Sequence, residues 1–401
     1  NQMISFSYIV NTTKLRLSTR FRQMIKRELY MSQIRPFMGS DLIKVITGIR
    51  RSGKSVMLEL IKEELMESGI NPKQFISINF EDMSYFYLQT AYALHEEILK
   101  RASKINGKVY IFFDEIQEVK DWEKCINSLR VSLDCDIYIT GSNAKLLSGE
   151  LATYLGGRYV EFVIYPFSFK EFIEIYHDSV GKESTSMCFQ KYLLMGGMPY
   201  LANLRYEDAP TKQYLNDLFN SVELKDIVKR NKIRDVELLE RILSYITLNV
   251  GTIFSATSIA KFLKSEHRIV APETILNYIK YCCDAYLLYQ LKRQDLKGKQ
   301  ILSSNEKYYI ADHGIREAVC GNMRDINLVL ENIVYLEMLR RGYNVTVGRI
   351  GDKEIDFVCS KRSEKLYVQV AYLLASEETI NREFGAYSNI HDNYPKYVVS
   401  L

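Results

Sequence analysis

Eight consecutive residues, Gly48-Ile49-Arg50-Arg51-Ser52-Gly53-Lys54-Ser55, carry the spacing G-x-x-x-x-G-K-[ST] at every fixed position. That spacing suits polyphosphate binding. Glycines let backbone N–H groups curl around phosphate oxygens with no Cβ in the way. A helix starting at the loop's end points its positive N-terminus at the same oxygens. Lys54 then reaches the β- and γ-phosphates of ATP, and the Ser55 hydroxyl ligates Mg²⁺. Arg50 and Arg51 occupy variable positions, where contact with phosphate and contact with a partner are both open.

A second constellation lies about 60 residues on. The apolar run Val109-Tyr110-Ile111-Phe112-Phe113 ends in Asp114-Glu115. Such a run suits a central parallel strand buried on both faces, and its C-terminal tip lies at the ligand edge of an open α/β sheet. There Asp114 is expected to hold Mg²⁺, mostly through water, and Glu115 to polarise the attacking water. The bland alternative is a solvated acidic turn. A further strand, Asp136 to Thr140, leads into Gly141-Ser142-Asn143. Ser142 or Asn143 would contact the γ-phosphate or orient water; as short polar residues they serve equally as helix caps. Arg158, after Gly156-Gly157, would act as an arginine finger in its own or a neighbouring subunit, or be a surface residue after a turn.

The elements that must position these groups follow from hydrophobic patterning. Strands at 42–46, 75–80, 109–113, 136–140 and 159–164 alternate with helices, which predicts a doubly wound parallel sheet of the P-loop NTPase class. One strand lies in sequence between the loop and the Asp-Glu strand, as in the subclass with an extra central strand and a catalytic Glu. Residues 190–250 read as helical, broken at Gly196-Gly197-Met198-Pro199.

From about 236 three short helices are expected, the second capped by Ser255. A basic hairpin with Lys292, Arg293, Lys297 and Lys299 follows, which together describe a winged helix. Within 255–300 eight Lys/Arg face four Asp/Glu. With Tyr278 and Lys280 on the third helix, that excess predicts either DNA contact or a lid used only for packing. The last unit places Glu331 and Glu337 on a helix, Asp356 on one strand and Gln369 on the next. That is the layout of a restriction-endonuclease-like metal site. The position of its usual lysine is Ala371, so a degenerate α/β nuclease fold is expected, without cleavage. Asp356 and Glu331 would then be structural or bind a metal weakly.

The expected divisions are 1–23 an N-terminal extension, 24–175 the ATPase core, 176–235 a helical lid, 236–315 the winged helix and 316–401 the nuclease-like unit. A chain of 401 residues is long enough for two or three domains. Its net charge of +4 is concentrated in residues 1–35, so overall charge does not argue for nucleic acid. Seven scattered cysteines without C-x-x-C spacing suit a reducing cytoplasm. No apolar run approaches a membrane span, and no cleavable leader is expected.

The stretches Lys44 to Ser55, Phe112-Phe113-Asp114-Glu115-Ile116-Gln117, Ile139 to Asn143, Leu155-Gly156-Gly157-Arg158, Pro166 to Phe172 and Tyr367 to Tyr372 together resemble a family of prokaryotic AAA+-type ATPases of unassigned role. These pair an AAA domain with a C-terminal domain of unknown function, DUF4143. The resemblance covers roughly residues 24–401 and implies ATP binding and hydrolysis through Lys54, Ser55, Asp114 and Glu115. It also implies continuation past the strand at 397–400. The expected protein is a cytoplasmic Mg²⁺-dependent ATPase that drives a conformational switch, with DNA and further copies of itself as candidate partners. Two alternatives differ in class. One is a DNA-binding module with structural nucleotide, against which Glu115 argues. The other is an ATP-dependent nuclease, against which Ala371 argues.

Overall fold

Strands β1 (Ile43–Thr47), β3 (Val109–Asp114) and β4 (Cys135–Gly141) are buried along their whole length, as their near-continuous apolar runs require. In this computed structural model they join β2 (Phe75–Asn79) and β5 (Tyr159–Val163) in a five-stranded sheet of order β2-β3-β4-β1-β5, parallel throughout. The structure describes residues 25–147, 156–296, 298, 300–321, 325–351, 353–374 and 376–401. The expected extension 1–23, Met24, Lys297 and Lys299 lie outside them.

Alternation along the strands splits the core in two. Ile111 and Phe113 of β3 pack with α3 (Ala91–Ala102) and α4 (Trp122–Ser132) on one face. Tyr110 and Phe112 pack on the other face, against α2 (Lys54–Glu67). α1 (Glu28–Ile34) lies on that second face too. The core on this face continues without a break into the rest of the chain, as far as Phe357 and Val368.

After β5 the chain turns through Tyr165-Pro166-Phe167 into α5 (Phe169–Ser179), which starts on a capping box formed by Ser168 and Glu171. α6 (Thr185–Met195) stops at the expected glycines. A Cβ on Gly197 would sit 2.2 Å from the Phe167 carbonyl oxygen, so only glycine fits beside that corner. α7 (Asp208–Ser221) runs directly into a π-helical segment, Val222–Lys229.

Three further helices follow: α8 (Val236–Leu248), α9 (Ala256–Ser265) and α10 (Pro272–Asp284). Ser255 caps α9 as expected, accepting from the Ser258 N–H. The hairpin β6 (Leu288–Asp295) and β7 (Gln300–Ile310) comes next. It does not stand alone. β6 pairs in parallel with β8 (Asn344–Ile350), from Arg293 opposite Val347 to Asp295 opposite Arg349. With β9 (Lys353–Lys361), β10 (Glu364–Val370) and β11 (Lys396–Val399) this makes one six-stranded sheet, ordered β11-β10-β9-β8-β6-β7. The sheet therefore runs across the expected division at 315/316. The sequence pattern marks each strand but not which strand it pairs with, and pairing is set by packing.

The remaining helices are α11 (His313–Cys320), α12 (Ile326–Arg340) and α13 (Glu377–Gly385). α12 is fastened to β7 by Asn332, whose amide accepts from the Ile310 N–H and donates to its carbonyl, both at 2.9 Å. Among the described residues no helix is long and apolar enough to cross a membrane.

The buried Arg340 at the end of α12 donates to the Pro166 carbonyl at 3.1 Å, joining this last unit to the corner after β5. Arg340→Ala leaves that carbonyl without its partner, and is expected to cost about 2–4 kcal/mol. The urea midpoint should fall with the slope unchanged. A midpoint equal to that of the parent protein would show that the corner is held by something else.

Candidate nucleotide site

β1 opens directly into the glycine-rich loop. Gly48 has φ +136°, and a Cβ there would lie 2.3 Å from the Ile164 carbonyl oxygen, so the loop's first residue is glycine by necessity. Ile49 is fully buried and anchors the loop to the core. Arg51 has φ +64°, and Gly53, at φ +103°, precedes the first turn of α2. Lys54 is buried, and its ammonium donates to the Gly48 and Ile49 carbonyls at 3.2 Å each. It also lies 3.6 Å from the Glu115 carboxylate. Ser52 is fully buried, and its hydroxyl has no hydrogen-bond partner among the described residues. An orphaned hydroxyl inside a loop of this shape fits a missing anionic acceptor.

Asp114 and Glu115 stand at the tip of β3, next to β4. The Thr140 hydroxyl organises both. It donates to Asp114 Oδ1 at 2.5 Å and accepts from the Glu115 N–H at 2.9 Å. Asn79 donates to the other Asp114 oxygen at 3.3 Å. Burial raises the Asp114 carboxyl above its ordinary range, against the hydrogen bonds from Thr140 and from Ser55. The Ser55–Asp114 contact brings together the two hard oxygen ligands expected for Mg²⁺, a cation usually held by one or two carboxylates plus substrate phosphates. Among the described residues no group of three or more His, Cys, Asp or Glu side chains is arranged to hold a metal by itself.

Glu115 takes φ +54°, a backbone strain that clusters at functional positions. Burial pushes its carboxyl upward. The Lys54 charge, the Gln117 amide that donates to it and the Arg50 charge outweigh that and hold it below the usual range. Glu115 is therefore an ionised carboxylate at neutral pH, the form a general base requires. Ser142 and Asn143, at the end of β4, are both buried. The Ser142 hydroxyl faces Asp226 at 3.5 Å. Asn143 stands just before a short 3₁₀ turn, where its carbonyl accepts from the Leu146 N–H.

The two arginines of the loop diverge. Arg50 forks onto Asp226 at 2.9 and 3.3 Å and reaches Glu81 at 3.1 Å. The Arg51 guanidinium lies over the rings of Tyr200 and Tyr214, 6.0 and 5.9 Å from their centroids. Both thus fasten the loop to the helical segment after residue 196. Arg27 holds it from the opposite side. Its buried guanidinium donates to the Ser52 and Tyr165 carbonyls at 3.0 and 2.8 Å and pairs with Glu171 at 2.8 Å. Sequence reasoning missed Arg27, Thr140, Gln117 and Asp226. Thr140 and Gln117 lie inside the stretches that define the site. Arg27 and Asp226 carry no local signal.

Arg158 is placed elsewhere. It is exposed, immediately before β5, and its carbonyl accepts from Ile43 at the start of β1. The glycine-rich loop leaves the other end of β1. A finger role toward the nucleotide of its own chain is thereby overturned: the length of the sheet separates the two. Its side chain instead reaches Asn127 at 3.4 Å.

The second expected set comes together only in part: Glu337 turns away to pair with Arg340 and Arg341. Glu331 on α12, Glu354 and Asp356 on β9 and Gln369 on β10 converge, and the buried Lys307 of β7 enters among them. Its ammonium lies 2.9 Å from Glu354 and 3.9 Å from Glu331. Asp356 accepts from the Val370 N–H at 2.8 Å, while Gln369 accepts from the Asp356 N–H at 3.2 Å. Arg293 reaches Glu354 at 3.4 Å. Glu354 and Glu331 are thus ion-paired within the chain. Burial raises the Glu331 and Asp356 carboxyls, with Lys307 opposing.

Comparison with known proteins bears on the family and the fold. Residues 40–173 match a family model described as an AAA domain, and residues 188–325 match one described as a domain of unknown function, DUF8612. The second match corrects the expected DUF4143: nearly all the stretches behind that resemblance lie within 44–172 and say little about the C-terminal part. An uncharacterized protein of Haemophilus influenzae is 39% identical over 382 residues, covering 94% of each chain. One of Methanocaldococcus jannaschii is 33% identical over 360 residues, covering 86% of this chain and 78% of that one. A Walker-type ATPase of Pyrococcus abyssi superposes with a TM-score of 0.51 at 17% identity, over 74% of this chain and 95% of that one. At that identity the likeness is one of fold, and the fold it supports is the parallel-sheet P-loop NTPase.

The carboxyl cluster makes a pH prediction. A carboxyl raised in the folded state binds its proton more tightly than in the unfolded chain. Its stabilising contribution is therefore full at acid pH and lost as pH rises through the folded value. Glu331→Gln should flatten the decline in thermal midpoint between about pH 5 and about pH 8. An identical pH profile for the variant and the parent would show that Glu331 ionises normally.

Proposed function

The chain belongs to the family of AAA-domain proteins that includes these Haemophilus and Methanocaldococcus relatives, and we propose that it binds ATP with Mg²⁺ and hydrolyses it to drive a conformational switch. The observation that carries hydrolysis is Glu115, an ionised carboxylate 3.6 Å from the Lys54 ammonium on the strand tip beside Asp114. In this reading the loop backbone, Lys54 and Arg50 bind the phosphates, Ser55 and Asp114 hold Mg²⁺, and Glu115 takes a proton from water. The metal supplies charge neutralisation at the phosphates. Ser142 and Asn143 sense what occupies the loop.

The coupling is mechanical. Both loop arginines end on the helical segment beyond residue 196, so a change at the loop pulls on Tyr200, Tyr214 and Asp226. We read α8–α10 with the β6–β7 hairpin as a winged helix and the sheet beyond it as a nuclease-like fold whose centre is ion-paired by Lys307. Cleavage forms no part of this function. DNA is the proposed partner of the winged helix. Lys261, Lys264, Lys280 and Lys292 are exposed there, whereas Arg268 is paired with Asp235 and Arg293 with Glu354. Arg158 keeps a role only toward the nucleotide of a neighbouring copy.

Steady-state ATP hydrolysis with and without duplex DNA, for this chain and for Glu115→Gln, tests the reading. Turnover should fall by about a hundredfold or more in the variant, with ATP affinity kept. Turnover indifferent to DNA would remove DNA from the proposal. Tight ATP binding with no turnover in the unaltered chain would leave a nucleotide-stabilised binding module instead.

A further inference from the structure

Asp226 is 2% exposed and faces two arginines and the end of β4. Arg50 forks onto it at 2.9 and 3.3 Å, the Ser142 hydroxyl donates at 3.5 Å, and Arg230, one turn on, lies 3.8 Å away. Arg50 belongs to the glycine-rich loop itself, two residues after Gly48, and its charge acts on Glu115. Its guanidinium therefore stands where the loop, the proposed base and the lid meet. A planar guanidinium that fits a carboxylate fork fits phosphate oxygens equally well.

We propose that Arg50 is the phosphate-contacting arginine of this chain's own site and that Asp226 is its resting counter-ion, so that the γ-phosphate of ATP draws Arg50 off Asp226 and releases the segment 222–229. This rests on the ATP-binding reading above. It supplies in cis the arginine that Arg158 is too far away to provide.

The exchange needs a second resting place for Asp226, because stripping a buried carboxylate of its cation is costly. Arg230 provides one. Its Nη1 is buried without a hydrogen-bond partner among the described residues, so it has a donor to spare. The segment carrying both is the π-helix Val222–Lys229, a form that recurs at functional positions. Glu223 on the same segment is buried with an oxygen lacking a partner among the described residues, a second sign of unsettled packing. Asp226 lies within reach of both arginines, and a shift of its carboxylate from Arg50 toward Arg230 gives an element that a ligand can bias.

The test combines ATP turnover with limited trypsin cleavage at Lys225, Lys229 and Arg230, using ATP, ADP and the non-hydrolysable AMP-PNP as probes. In the unaltered chain AMP-PNP should speed cleavage in this segment several-fold and ADP should not. Asp226→Asn should be cleaved rapidly without nucleotide and show a lower KM for ATP. Arg50→Ala should weaken ATP binding several-fold, lose about a hundredfold or more in kcat, and show no cleavage response to saturating AMP-PNP. Arg50→Lys, which keeps the charge but not the fork, should recover little of the kcat. Normal kcat in both Arg50 variants, or cleavage indifferent to AMP-PNP in a chain that hydrolyses ATP, would overturn the proposal. If the unaltered chain and Lys54→Ala both fail to bind ATP, the ATP reading itself falls and this inference with it.

Discussion

The corner Tyr165-Pro166-Phe167 is the constraint on which the rest of the structure depends. Buried backbone groups must find partners, and those of this corner find them in every part of the chain. The Tyr165 carbonyl accepts from Arg27, the Pro166 carbonyl from Arg340 and the Phe167 carbonyl from the Tyr192 hydroxyl. The Phe167 N–H donates to Gly197 at 2.7 Å. Just before it, the Ile164 N–H bonds to Thr47, and the Ile164 carbonyl lies against Gly48, so the corner also forms the floor of the glycine-rich loop. Arginines from opposite ends of the chain thus grip one short stretch that supports the nucleotide site.

The same economy appears in the carboxylates. Glu171 closes a capping box and pairs with Arg27; Thr140 serves Asp114 and Glu115 together; Asp226 faces two arginines. In each case one buried group satisfies several neighbours, which is how charges stay in a low-dielectric interior at tolerable cost. It also means that a change at the loop is felt by the helices around it through a few strong, directional contacts rather than through diffuse packing.

The local chemistry was legible in the sequence, and the long-range partnerships were not. The glycine-rich loop, the Asp114–Glu115 strand tip and the Ser142–Asn143 turn announce themselves because their residues are contiguous and their spacing is dictated by the backbone. So do the Ser255 cap and the break at Gly196-Gly197. Arg27 meets Glu171 across 144 residues and Arg50 meets Asp226 across 176. No periodicity encodes such pairs. Lys307 shows the limit most clearly. Ala371 speaks only for its own strand, whereas Lys307 enters among the acidic residues from another. Arg158 is excluded from its own nucleotide for a different reason: in a parallel sheet a residue just before a strand lies at the edge opposite the loop that leaves β1.

The shared six-stranded sheet bears on how such a chain can be inherited. β6 is bonded to β7 on one side and to β8 on the other. Separating the hairpin from the strands that follow would bare the paired edges of β6 and β8 at once, and bared edges recruit foreign strands. The region from Leu288 onward would therefore have to be gained or lost as a single cassette. Insertions would be tolerated at its loops and not between its strands.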